Sequence, residues 1–373
     1  MKHFRQVVDR RCRVMSPLAV CLSLSCSHST TPNSAARLPS AVTRNALEFS
    51  QASISATTPV LSWNKSDKVT EFRSWQRAAR TKFLEVLNYQ AHAMTDFRVE
   101  LLETVQFNSF VRQEISYHLE PGFKTTAFVY RPKDVSKTRG AILLWHGHSH
   151  GGKKAVAGIP PFVQEKDQHR AAAHQLAEAN FFVVAPDMRT FGDSGVYLQH
   201  VIASGSALMT GRSIVATYIA DSVRTFDLIV RHYGFRPNQV GVAGLSLGAQ
   251  VAMFHAAMDE RVAAVVVQGF LSSYRGRFLT SQHDICQYVP GLIRWFDKAD
   301  IGLMIAPRAA LYVSGEKDQM FPVAEAISEF ESIFRGYSLS NSQTRALLER
   351  HQGAHSWQHK AALQWFDKHL EQP

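Results

Sequence analysis

The chain has 373 residues, 45% of them hydrophobic and 19% charged, with a formal net charge of +10 at pH 7. This is a globular composition, ample for one large core or two modest ones. Five basic residues against Asp9 put +4 of that charge in the first 13 positions; the rest shows no Lys/Arg run and no basic–aromatic interleaving, which argues against nucleic-acid binding.

Residues 1–14 are basic, and residues 15–26 are small and apolar. That apolar run is well short of the ~20 residues a membrane-spanning helix needs and reads as the hydrophobic region of a signal peptide. Cys21 and Cys26 are alternative lipoprotein-type processing positions. Val precedes the first, and Leu24 lies one place late for the second. The expectation is an exported protein, periplasmic or lipid-anchored; the alternative is a cytoplasmic chain with a disordered leader. With Cys12 also in the leader, only Cys286 lies in the body. No disulfide framework is open to the body, and Cys286 reads as a small buried side chain. Residues 27–58 are rich in Ser, Thr, Ala and Pro, and read as a disordered tether.

The folded unit is expected over 59–373. Val69, Phe72, Trp75, Ala79, Phe83 and Leu87 recur at helical spacing, with Ser66 or Asp67 as N-cap. The alternating segments 98–105, 110–119 and 124–130 predict an antiparallel lead-in. After Pro132 come short apolar runs at 141–145, 181–185, 240–243, 262–267, 309–313 and 344–348. Helical stretches at 167–179, 214–232 and 247–258 separate several of them. Strands buried on both faces and alternating with helices predict an α/β class, a doubly wound and mainly parallel sheet. The segment 271–305 fits neither pattern and reads as a small insertion over the top of the sheet, where substrate would be held. Its candidate substrate contacts are Tyr274, His283 and Tyr288. His283 and Cys286 could pair there, although core packing accounts for both.

The chemistry centres on Gly244-Leu-Ser246-Leu-Gly248, between an apolar strand and an Ala/Met-rich helix. This is the context of a nucleophile elbow, whose tight turn leaves no room for Cβ atoms beside the serine. A serine needs a base, and the base an orienting carboxylate. On such a sheet the acid and then the histidine follow the serine in the chain. Asp318, in the loop after the 309–313 strand, is the candidate acid, with Glu316 its rival. His355, in the small-residue loop 353–356, is the candidate base; His351 within a strand and His359 within a helix are the alternatives. An oxyanion hole needs two backbone N–H groups. Those of Leu247 and of His148, in the loop 146–153, are the candidates. His146, His148 and His150, with His174 and Asp187, offer a transition-metal alternative, but nothing in their spacing requires convergence, and the expectation is no metal and no cofactor. Asp187-Met-Arg189-Thr-Phe-Gly192-Asp193 reads as a loop pinned by an Arg–Asp pair.

These stretches, LLWHGHSHGGK, VVAPDMRTFGDSG, VGVAGLSLGAQVAMFHAAMDERVAAVVVQGFLSSY, HDICQYVPGL, IAPRAALYVSGEKDQMFP and GAHSW, resemble the α/β-hydrolase superfamily, and within it the bacterial acetyl xylan esterase / dienelactone-hydrolase-like branch. The resemblance spans roughly residues 65–370. It implies a metal-independent serine hydrolase with Ser246, His355 and Asp318 as triad, acting on small-acyl or acetylated-carbohydrate esters. Arg189-Thr-Phe-Gly stands where Arg-Gly-x-Gly is more familiar, and His148-Ser-His150 where glycines are commoner. A serine peptidase of the prolyl-oligopeptidase type shares the elbow and triad order, but residues 59–130 are too short for its N-terminal propeller. A non-catalytic binding module on the same fold is the other alternative. Oligomeric state is not encoded legibly.

Overall fold

The computed structural model describes residues 46–63, 68–91, 95–161, 168–195, 197–276 and 283–373. The leader, tether residues 27–45, the N-cap candidates Ser66 and Asp67, and residues 277–282 of the insertion lie outside these. The described residues belong to one compact unit.

In chain order the elements are α1 (Ala46–Ser55), α2 (Val69–Leu87), β1 (Glu100–Gln106), β2 (Phe110–Glu120), β3 (Phe123–Pro132), β4 (Ala141–Trp145), α3 (Lys153–Ala157), α4 (Ala172–Glu178), β5 (Phe182–Pro186), α5 (Tyr197–Met209), α6 (Ile214–Asp227), β6 (Val240–Leu245), α7 (Leu247–Met258), β7 (Ala264–Gln268), α8 (Lys298–Leu303), β8 (Ala309–Gly315), α9 (Val323–Leu339), β9 (Ala346–His351) and α10 (His359–His369). The strands form one sheet in the order β1-β2-β3-β5-β4-β6-β7-β8-β9. β1, β2 and β3 are antiparallel, and β3 meets β5 antiparallel. From β5 through β4 to β9 every pairing is parallel. The fold is therefore the doubly wound, mainly parallel α/β sheet with an antiparallel start.

Strands β4 to β8 are buried along their whole length. Period-2 alternation divides their side chains between two cores. Leu143, Trp145, Val242, Val265 and Val267 face one core with α2, α6, α7 and α9. Ile142, Leu144, Ala243, Leu245 and Val266 face the other with α3, α4 and α10. The chain leaves β4 for β5 on one side and reaches β6 on the other, so the strand order reverses at β4 and a crevice opens above its carboxyl end.

Three local readings change. Ala46–Ser55, in the stretch expected to be tether, is helical, and the Ser50 and Ser53 hydroxyls bond carbonyls one turn back. Just beyond it the Val60 and Leu61 amides donate to Arg294 and Trp295 of the insertion. Helix α2 begins after Lys68 with no side-chain cap. The 214–232 helix is α only to Asp227 and closes in a π turn at Leu228–His232. Within the insertion, short 3-10 turns at Ile285–Gln287 and Leu292–Arg294 precede α8. Among the described residues no helix is long and apolar enough to cross a membrane.

Candidate active site

Ser246 sits between β6 and α7 at φ 58°, ψ −120°, a conformation L-residues rarely adopt. Its glycines are sterically required. A Cβ on Gly244 would lie 2.2 Å from the Gly248 backbone, and one on Gly248 2.4 Å from the Trp145 carbonyl oxygen. The Ser246 amide donates to Gln268 O (2.9 Å), which ties the turn to β7.

His355 Nδ1 donates to Asp318 Oδ2 at 2.7 Å. Oδ1 of the same carboxylate accepts from the amides of Met320 (2.9 Å) and Phe321 (3.0 Å), so its orientation is set by backbone. The imidazole stacks on Phe321, with ring centroids 5.7 Å apart. Opposite, Gly269 at φ 60° has room for no Cβ, which would fall 2.8 Å from His355 Cε1. His355 Nε2 is buried and has no hydrogen-bond partner among the described residues. Of the rivals, Glu316 pairs with Arg350 (3.5 Å), and His351 Nδ1 accepts the Gly353 amide (3.1 Å) within its own loop. His359 opens α10.

The loop after β4 lies against the serine. A Cβ on Gly147 would meet Leu245 O at 2.9 Å and Ser246 Cβ at 3.2 Å. The Gly147 amide donates to His169 Nε2 (2.8 Å), which leaves the amide of His148 as the next donor along the loop. Leu247 is the first residue of α7, so its amide has no acceptor within the helix. His146 Nε2 accepts the Met188 amide (3.0 Å), so its proton is on Nδ1, facing Gly147 O (2.7 Å). Burial pulls its pKa down to about 4, in keeping with this neutral, accepting role.

The far end of the loop is bolted by a buried ion cluster. Lys153, with no exposed side-chain surface, donates from Nζ to Asp187 (2.9 Å), the Thr126 hydroxyl (2.8 Å) and Asp193 and pairs with the Glu114 carboxylate (3.1 Å), while its amide donates to Asp187 Oδ1 (2.7 Å). Burial alone would lower the Lys153 pKa, but Asp187 and Asp193 raise it above the ordinary lysine value. Gly152 (φ 51°) and Gly192 (φ 57°) close on the Asp187 carboxylate where any Cβ would collide.

The histidine-rich loop does not converge on a metal as a set. His146 points inward, His150 is exposed, and His174 lies on α4 against the stacked pair Phe107 and Phe110. Asp187 belongs to Lys153. The expected Arg–Asp pair within this loop is also corrected: Arg189 makes a bidentate pair with Asp221 (2.7 and 2.8 Å), and Asp187 and Asp193 go to the lysines, because α6 carries Asp221 up beside the loop. In the insertion, Tyr274 is a core residue beneath Lys298, Tyr288 is half-buried, and the His283 ring lies 5.2 Å from Phe321, the ring on which His355 also stacks. Cys286 meets His148 rather than His283 (Nε2–Sγ 3.0 Å). Sequence reasoning missed His169, Lys153, Gln268 and Phe321. Only Lys153, closing the His/Gly-rich loop, carried any local signal.

A mainly parallel sheet with a strained serine above one strand, and a histidine–carboxylate pair on the loops after two later ones, defines the α/β-hydrolase class. The Abhydrolase family model Abhydrolase_7 matches residues 30–333, and the chain belongs to that family. A Bacillus subtilis (strain 168) protein described as a hydrolase, YtaP, is 26% identical over 260 residues, 68% of this chain and 85% of that one. Among solved structures, one from Bacteroides fragilis described as an acetyl xylan esterase superposes with TM-score 0.70 at 17% identity, covering 88% of this chain and 91% of its own. Acetyl Xylan Esterase 1 from Thermoanaerobacterium sp. gives TM-score 0.54 at 18% identity (84% and 97% covered). A glucuronoyl esterase from Solibacter usitatus gives 0.58 at 15% (79% and 93%). At these identities the likeness is one of fold.

Proposed function

We propose that the protein is a serine carboxylesterase that hydrolyses small-acyl esters, acetylated carbohydrates among them, through an acyl-enzyme intermediate. The observation that carries this reading is Ser246 held at φ 58° on the elbow while Asp318 fixes the His355 imidazole through a 2.7 Å bond. Ser246 Oγ attacks the ester carbonyl as His355 Nε2 takes its proton. The amides of Leu247 and His148 stabilise the tetrahedral oxyanion. Collapse expels the alcohol with the proton from His355, and water, activated by the same histidine, releases the acid and restores the serine. The names of the structural neighbours support the choice of ester, and the Phe321 ring supplies an apolar face beside the imidazole. Residues 1–26 support export, which fractionation of cells carrying the full-length and Cys21→Ser or Cys26→Ser chains would test.

The test is hydrolysis of p-nitrophenyl esters of increasing acyl length by wild type and Ser246→Ala, with fluorophosphonate labelling in parallel. Acetate turnover and labelling should both vanish in the variant. Equal rates in the two proteins would overturn the reading.

A further inference from the structure

We propose that His148, His200 and Cys286 form a binding site for a divalent transition-metal ion of the zinc class, with the Asp284 carboxylate beside it as a further ligand. One donor atom from each of the three residues lies within 4.8 Å of the others. His148 Nε2 stands 3.0 Å from Cys286 Sγ and 3.2 Å from Asp284 Oδ2. The three come from unrelated parts of the chain: the loop after β4, helix α5, and the 3-10 turn Ile285–Gln287.

The donor set is specific. A thiolate, two imidazoles and a carboxylate suit Zn²⁺, or Co²⁺ as its probe, and not the hard cations Mg²⁺ and Ca²⁺, which take oxygen. With Zn–N near 2.0–2.1 Å and Zn–S near 2.3 Å, tetrahedral N and S ligands stand about 3.5 Å apart, so the 3.0 Å between His148 Nε2 and Cys286 Sγ needs only a small opening, and the 4.8 Å bound on the set only a modest closure. His200 and Cys286 are buried (0% and 1% exposed), so the site is dry enough to favour coordination over hydration. His200 Nδ1 meets the hydroxyls of Thr190 (2.9 Å) and Tyr218 (3.2 Å). Such outer partners fix the tautomer and ring angle of a ligating histidine. On binding, the Cys286 S–H bond breaks, the sulfur forms the metal bond and the proton leaves to solvent.

The site goes beyond the ester reading and stands whether or not Ser246 is a nucleophile. It has a structural consequence all the same. His148 follows Gly147, whose backbone lies against Ser246. A bound ion would clamp that loop to α5 and to the segment 283–288.

The experiment uses the full-length chain with Cys12, Cys21 and Cys26 changed to Ser, stripped of metal by a chelator, dialysed and titrated with Co²⁺. One equivalent should bind, with a thiolate-to-cobalt charge-transfer band that Zn²⁺ displaces. Cys286→Ser should lose the band, and His200→Gln should weaken binding at least tenfold, both with native circular dichroism; Ser246→Ala should leave both unchanged. X-ray absorption of the zinc-loaded protein needs no variant at the site and should show one sulfur near 2.3 Å with nitrogens near 2.0–2.1 Å. Failure to take up one equivalent, a band that survives Cys286→Ser, or a first shell of only nitrogen and oxygen would overturn the proposal.

Discussion

The positions with least freedom in this molecule are single residues at strand ends. Asp318 spends one oxygen on two backbone amides and the other on His355, so an amide in its place would present the wrong hydrogen-bonding pattern to Nδ1. Asp318→Asn is expected to lower kcat for p-nitrophenyl acetate by roughly 10³–10⁴-fold. A loss under tenfold would move the role to another carboxylate, Glu316 first. Gly269 tests the same imidazole from the other side. Its φ of 60° and the 2.8 Å approach to His355 leave no room for a methyl group, so Gly269→Ala should displace the ring and cost activity before it costs the fold. Steady-state kinetics beside a thermal melt would separate the two. Retention of full kcat would show that the ring is not held there.

At the scale of elements, the loop between β4 and α3 is held by charge rather than by apolar packing. Lys153 joins β2, β3, the loop after β5 and its own helix start through one ammonium group. Removing the cation leaves the buried Asp187 without its countercharge, which typically costs about 3–5 kcal/mol, whereas removing both charges costs far less. Lys153→Met should therefore destabilise the protein by about 3–5 kcal/mol in urea denaturation, and adding Asp187→Asn should recover part of the loss. Additive losses would mean that the two do not couple. Helix α7 contrasts with this loop: it is buried from Leu247 to Ala257, and apolar packing positions the serine together with the bond from its amide to Gln268 O.

For the whole molecule, acid sensitivity follows from histidines that folding buries. His369 on α10 lies against Trp365 (4.3 Å between ring centroids), and its pKa drops from 6.5 to about 4, first through burial and then through the nearby Lys368 and Arg345. Between those values the unfolded chain takes up a proton that the folded one does not. Stability from this group is thus present above pH 6.5 and is lost as pH falls toward 4. The urea midpoint of wild type should decline across that window, and His369→Gln should decline less steeply. Parallel curves would remove His369 from the account.

Much of the architecture was legible in order along the chain. Apolar runs mark strands buried on both faces because such strands have no solvent face to alternate with. Gly244-x-Ser246-x-Gly248 marks the elbow because its steric demand falls on immediate neighbours. The same locality placed Asp318 and His355 on loops after strands, and helix α7 from Leu247 to Met258. Helix α1 was obscured because its Ser-rich composition resembles a tether. Tertiary structure decided the pairings. Gly147 finds His169 22 residues away, Lys153 finds Asp187 across 34, and His148 finds Cys286 across 138. Arg189 passes over the aspartates of its own loop for Asp221. Local sequence determines which backbone conformations are affordable, and that settles strands, turns and the serine's strain. Which charge or imidazole meets which depends on where the sheet's strand order reverses, and no window of neighbouring residues contains that information.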